Sequence, residues 1–156
     1  MSKYVFDIEA NGFLKTVSRM WVLVAKDIDT GEIFTFKEND LKWKELFEKA
    51  ESLIGHNITG YDLPVLQKIF NFKPSRKCKI YDTFLMSLVI NYNRFKGGRH
   101  SLENWGNLLG FPKIEFDDFS QYSEEMLEYC VQDVELGTKV YFVLKEELGQ
   151  VLESKR

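Results

Sequence analysis

Three short apolar, β-prone runs crowd the N-terminal part of the chain, and helix and strand signals alternate after them. Tyr4–Ile8, Met20–Asp27 and Glu32–Lys37 are the strand candidates. The second and third flank Asp29-Thr30-Gly31, a turn signal that predicts a hairpin. A helical stretch at Leu41–Ala50 follows, then a short buried-strand candidate at Ser52–Gly55, then a helix over Tyr61–Phe70 that should break before Pro74. Lys77–Tyr81 reads as a small strand, and Asp82 or Thr83 caps a helix running to Ile90. Ser101 caps a further helix to Leu109, stopped by Gly110, and Ser123 caps the last one, with Glu124 and Glu125 in its positive first turn. A hairpin-bearing strand trio followed by alternating elements predicts an α/β fold, a central mixed β-sheet flanked by α-helices.

The chain of 156 residues suits one domain, and residues 1–156 are expected to form a single one. At 44% hydrophobic and 15% aromatic it can fill a core and is too apolar for a disordered segment. No run nears the ~20 apolar residues of a membrane span, and the N-terminus MSKYVFDIEA has no long apolar stretch of the kind a signal peptide carries. Cys78 and Cys130 show neither metal nor disulfide spacing; both are expected to be packing residues in a reducing cytoplasm. His56 and His100 are the only histidines, which argues against a structural zinc site.

A net charge of −3 argues against a general nucleic-acid binder, but the charges are segregated. Between Asp62 and Glu103 the only acid is Asp82, among Lys68, Lys73, Arg76, Lys77, Lys79, Arg94, Lys96 and Arg99. From Glu115 to Glu135 there are eight acids and no base. Such blocks are either solvated faces or a basic rim beside an acidic centre, the arrangement a phosphate polymer held at a metal site requires.

Four acids stand beside apolar sequence. Asp7 and Glu9 lie two apart in a strand flanked by Val5, Phe6 and Ile8, so both side chains share a face. If the strand is still buried there, the pair repels and loses hydration, and a cation would relieve both costs; if the strand has ended, the pair is solvated. Asp62 opens its helix on the face of Leu66 and Ile69, which fits either a first-turn acid or a ligand. Asp133 sits mid-helix on the stripe Met126, Cys130, Gly137, Val140, Tyr141 and Leu144, where it caps nothing and has no Lys or Arg nearby on its own stripe. Metal ligation solves that problem, with Tyr129 one turn earlier placed to hydrogen-bond a metal-bound water. Oxygen-only donors favour Mg²⁺ or Mn²⁺, and two such ions about 3.5–4 Å apart would form a phosphoryl-transfer clamp.

These residues resemble the DEDD superfamily of 3′→5′ exonucleases, above all the proofreading domain of family A phage DNA polymerases. DIEANG at 7–12 is similar to the D-x-E motif, HNITGYD at 56–62 to N-x₃-[FY]-D through Asn57, Tyr61 and Asp62, and YCVQD at 129–133 to Y-x₃-D. HSLENWG at 100–106 and YDT at 81–83 resemble further stretches of the phage enzymes. Glu128 stands where the DEDDh subgroup has histidine, so Tyr129 points to the DEDDy subgroup. The chain departs from the phage polymerases in its shorter connections and in having no polymerase domain; with a tail ending ESKR it reads as a free-standing enzyme.

The resemblance implies a ribonuclease H-like fold and hydrolysis of a DNA 3′ end, single-stranded or frayed, to nucleoside monophosphates. It implies two Mg²⁺ or Mn²⁺ ions held by Asp7, Glu9, Asp62 and Asp133, with Asp7 bridging and with Tyr129 and Glu9 orienting the attacking water. Asn57 is then a sugar or phosphate contact, or else a turn residue. Phe13 and Leu14 are a wedge against the terminal bases, or else core. Arg76, Lys77, Arg94, Lys96 and Arg99 are candidate backbone contacts, Asp82 a cap or structural acid, His56 a packed or capping residue, and Trp21, Trp43 and Trp105 core. The implied partners are a polymerase or replication proteins, in the host cytoplasm for a phage enzyme, with no membrane. Two rivals stay open: an RNA-trimming exonuclease similar to RNase D, and a non-catalytic module that binds nucleic acid or a polymerase.

Overall fold

A computed structural model of the protein describes residues 2–154. Five strands, β1 (Lys3–Ala10), β2 (Met20–Asp27), β3 (Ile33–Lys37), β4 (Ser52–Gly55) and β5 (Lys79–Asp82), form one sheet in the order β3-β2-β1-β4-β5. β1, β2 and β3 pair antiparallel, while β4 runs parallel to β1 and β5 parallel to β4, giving the expected mixed sheet. The β2–β3 hairpin closes at Gly31, whose φ of 79° is the left-handed conformation that glycine adopts without strain. Among the described residues there are five α-helices, α1 (Lys42–Glu48), α2 (Leu63–Phe70), α3 (Thr83–Ile90), α4 (Leu102–Leu109) and α5 (Glu124–Ser154), besides short 3-10 and π turns. No helix among the described residues is long and apolar enough to cross a membrane.

The period of β1 divides the core. Tyr4, Phe6, Ile8 and Ala10 face a layer made with Trp43, Phe47, Val65 and Leu66 of α1 and α2. Trp43 is fully buried there, edge-on to Phe47, Phe70 and Phe72. Val5, on the opposite face with Asp7 and Glu9, packs beneath α5 against Met126, Cys130 and Val134. A third cluster, Trp105 with Leu136, Val140 and Leu144, fastens α4 to α5. All three tryptophans are core.

Several boundaries move. β1 runs on to Ala10 instead of stopping at Ile8, because pairing with β2 (Asp7 opposite Val24, Glu9 opposite Val22) overrides the poor strand propensity of two acids. β4 accompanies β1 only as far as Val5 opposite Ile54, so the rest of β1 is open on that side. The helix expected over Tyr61–Phe70 begins as a π turn at Ile58–Asp62 and ends at Phe70, where Asn71 takes the left-handed conformation ahead of Pro74. Asp82, not Thr83, caps α3 by accepting from the amides of Phe84 and Leu85. α5 passes Leu148 and continues to Ser154; the last two residues of the ESKR tail lie outside the described residues.

Candidate active site

The fold brings all four acids together. Asp7 and Glu9 come from the middle of the sheet, Asp62 from the turn entering α2 and Asp133 from α5. Asp62 Oδ2 accepts from the amide of Ile8 at 3.2 Å, on the side of β1 that β4 leaves open. Glu9, Asp62 and Asp133 are buried, and Asp7 is half-buried. Asp7, Asp133, His56, Lys113 and Gly55 line a cavity of about 160 Å³. A side chain at Gly55 would meet Ile58 at 2.4 Å and the Phe6 carbonyl at 2.9 Å, so glycine is what lets the 56–62 turn close against β1.

Four carboxylates so placed cannot all ionise among themselves. Burial, and then the charges of Asp7 and Asp133, push Glu9 up to about 11. Burial and Asp7 push Asp133 up to about 7, even though Lys113 pulls the other way. Asp7 is raised chiefly by burial, and Asp62 is raised well above its usual range by burial and by Asp7. Asp133 Oδ1 is buried without a hydrogen-bond partner. An orphaned acceptor inside a cluster of four carboxylates short of positive charge is what a divalent cation satisfies, so the residues present fit such an ion.

Tyr129 projects from α5 one turn before Asp133, its ring held by Phe116 and Phe119 at centroid distances of 5.6 and 5.9 Å. The residue that sequence reading missed is Lys113, in the irregular stretch between α4 and α5. Its ammonium donates to the Tyr129 hydroxyl at 2.9 Å and lies 3.3 Å from Asp133 Oδ2. The cation absent from the Asp133 stripe thus arrives from elsewhere in the chain. Burial opposes the charge on Lys113, but Asp133 and Tyr129 hold it well above the ordinary lysine range. Lys113 and Tyr129 also border an open cleft of about 700 Å³ with Asn107, Phe116 and Asp117.

The other motif residues build the surroundings. Asp82 accepts from the amides of Asn57 (2.9 Å) and Thr59 (3.1 Å) and from the Thr59 hydroxyl (2.6 Å), while also capping α3. It thereby holds Asn57, at φ 58°, in a left-handed turn with its side chain exposed. Tyr61 donates to the Gly12 carbonyl at 2.6 Å, and Lys68 to the carbonyls of Leu14 and Lys15, which pins the loop after β1 onto α2. On that loop Phe13 is 86% exposed, while Leu14 is half-buried against the first core layer. His56 Nε2–H donates to the His100 carbonyl and Nδ1 accepts from Thr83; His100 in turn bonds Ser87 and the Tyr92 carbonyl, and Trp105 donates to Ser87. Burial lowers the His56 pKa, and both its ring nitrogens are occupied, which suits a structural role. Of the basic candidates, Arg76, Lys77, Lys96 and Arg99 are exposed. Arg94 is corrected: it forms a two-pronged ion pair with Glu147 and stacks on Trp105, so its guanidinium is taken up within the fold.

No protein-family model matches the chain. The DNA-directed DNA polymerases of Escherichia phage T7 and Enterobacteria phage T3 are each 29% identical over an alignment covering 83% of this chain and 25% of theirs. The chain therefore spans about a quarter of the length of those relatives. Among solved structures, Brucella melitensis NrnC with bound Mg²⁺ superposes with a TM-score of 0.74 at 21% identity, over 99% of this chain and 77% of that one. E. coli exonuclease I in complex with a dT13 oligonucleotide superposes with a TM-score of 0.66 at 14% identity, over 98% and 43%. The chain is homologous to a quarter-length segment of the T7 and T3 DNA polymerases and has the ribonuclease H-like fold of the exonucleases, a relationship that the DEDD order of Asp7, Glu9, Asp62 and Asp133 fits.

Proposed function

We propose that the protein is a divalent-metal-dependent 3′→5′ exonuclease of the DEDDy type that removes nucleoside monophosphates from single-stranded or frayed DNA 3′ ends. The observation that carries this reading is the convergence of Asp7, Glu9, Asp62 and Asp133, four acids far apart in the chain, beside a tyrosine hydroxyl. These carboxylates would hold two Mg²⁺ or Mn²⁺ ions. Bound there, the ions would supply an activated water and positive charge against the transferring phosphate.

The chain's own groups do the positioning. Lysine only donates, so the Tyr129 oxygen accepts from Lys113 and its own O–H stays free to donate into the site. Tyr129 and Glu9 orient the attacking water. Asn57, presented by Asp82, contacts the terminal sugar or phosphate, and Phe13 wedges against the end base, aided by its near-complete exposure. Unpairing costs a few kcal/mol, so a frayed or mismatched end is cut faster than a matched duplex. The relatives carry the matched segment within DNA polymerases, which supports action at primer ends during replication, beside a polymerase.

The test is digestion of 3′- and 5′-labelled single-stranded DNA, and of the equivalent RNA, with Mg²⁺ and with EDTA. Stepwise shortening from the 3′ end, faster on DNA, lost with EDTA and in Asp7→Ala, is expected. Faster cutting of RNA overturns the DNA assignment, and no metal-dependent release of mononucleotides overturns the enzyme.

A further inference from the structure

α3 is oriented against its own composition. Its sequence TFLMSLVI holds no charged residue, and a surface helix ordinarily turns its apolar stripe inward. Here Thr83 and Ser87, one turn apart, are the fully buried pair, because their hydroxyls hold His56, His100 and Trp105. Leu85 and Val89 face outward, 46% and 84% exposed. Ile80, on the edge strand β5, and Leu148, on α5, are exposed beside them, and these four help to line a groove of about 370 Å³.

α5 continues past Leu144, its last buried residue, to Ser154. On this overhang Val151 and Leu152 follow Leu148 by one turn on the same stripe, and both are exposed. One face therefore carries an apolar groove and, next to it, an apolar ridge. That combination suits an isologous contact, in which each copy's ridge enters the other's groove across a twofold axis. Charge, which selects among foreign partners, has little part here. Among the described residues the groove has one charged member, Asp82, already engaged with Asn57 and Thr59. An apolar, charge-depleted face is what homodimers bury.

The area is sufficient. Burying an aliphatic side chain whole removes on the order of 100 Å² from water. Ile80, Leu85, Val89, Leu148, Val151 and Leu152, 36–84% exposed, therefore offer about 300 Å² per copy. A specific interface of about 1,000 Å² in all holds about that much apolar area on each side. The face reaches this lower bound and no more, which fits a reversible dimer.

We propose that the protein associates with a second copy of itself through this face, the α5 overhang of each lying in the α3–β5 groove of the other, with a dissociation constant of roughly 1–100 μM. Thr59 and Asp82 line the same groove, so the second copy closes against the back of the turn that presents Asn57.

The test is sedimentation velocity of the full chain at concentrations spanning that range. The sedimentation coefficient should climb from the monomer value to the dimer value. Val89→Glu and Leu152→Glu, at exposed positions, should each raise the dissociation constant tenfold or more, with circular dichroism and melting temperature in dilute solution unchanged. Phe142→Glu, exposed on the other side of α5, should still dimerise. A parent protein that stays monomeric throughout overturns the association and leaves the face to a different protein. A dimer that survives in folded Val89→Glu or Leu152→Glu, or one that Phe142→Glu abolishes equally, overturns its placement on this face. Neither measurement uses nuclease activity, so both outcomes are independent of the proposed function.

Discussion

Lys113 and Tyr129 are joined by a hydrogen bond of 2.9 Å, and the same ammonium lies 3.3 Å from Asp133. One flexible cation from an irregular segment thus sets the direction of a phenol hydroxyl and the charge around a candidate metal ligand. Replacing it with Met keeps the stem and removes the donor. Lys113→Met should lower the single-turnover rate by roughly tenfold to a hundredfold, because small misplacements of a reacting group cost that much. Binding of a DNA oligomer in Ca²⁺ should change far less; an equal loss in both measurements would assign Lys113 to substrate binding instead.

Tyr129→Phe separates the hydroxyl from the ring. The contacts with Phe116 and Phe119 remain, so the melting temperature should stay close to that of the parent. The cleavage rate should fall about a hundredfold, the scale of a lost positioned proton donor or acceptor. A parental cleavage rate would remove Tyr129 from the mechanism.

Acid–base linkage gives a pH dependence of stability. In EDTA, Asp133 is held up to about 7 and Glu9 up to about 11, both above the values of an unfolded chain. The folded state therefore keeps protons that the unfolded state releases. Their contribution is fully present below the unfolded carboxylate range and is lost as pH rises through 7 and beyond, at about 1.4 kcal/mol per pH unit for each proton held in excess. Thermal melts should show the EDTA-treated protein less stable at pH 8 than at pH 6. Mg²⁺ or Mn²⁺ should raise the melting temperature more at pH 8, where protons compete less for the ligands, Asp133 having released its own. A flat or rising profile would contradict the carboxylate cluster.

Asp82 is an acid outside the proposed chemistry on which the site still depends. Asp82→Ala leaves the amides of Asn57 and Thr59 without their acceptor and removes the cap of α3. The expected loss is about 1–3 kcal/mol in denaturant unfolding, with Asp82→Asn intermediate. Unchanged unfolding would mean the turn is held by other contacts.

Phe13 should behave oppositely. At 86% exposure its removal costs the fold almost nothing, within about 0.5 kcal/mol. If it stacks on the terminal base, Phe13→Ala should weaken single-stranded DNA binding by about 1–3 kcal/mol. Equal affinity by fluorescence anisotropy would return Phe13 to the plain surface.

The acids were legible in the sequence because periodic elements fix where side chains point. Asp7 and Glu9 share a face whenever the strand is regular, and Tyr129 and Asp133 share one on any helix through Cys130. Lys113 was not legible, since the stretch between Gly110 and Ser123 has no period and only the folded chain carries its side chain to Asp133. Arg94 was read as a surface cation because Glu147 is 53 residues away. The π turn before α2 was hidden for a local reason: it follows Asn57 in a left-handed conformation, which no periodic signal announces.

The bond from the Ile8 amide to Asp62 has a use beyond architecture. Since β4 leaves that stretch of β1 open, this amide proton looks outward from the sheet onto a carboxylate and onto no neighbouring strand. Its chemical shift in a ¹⁵N-correlated NMR spectrum should therefore follow the charge that Asp62 carries, giving the molecule a built-in indicator of whether protons or cations occupy its centre.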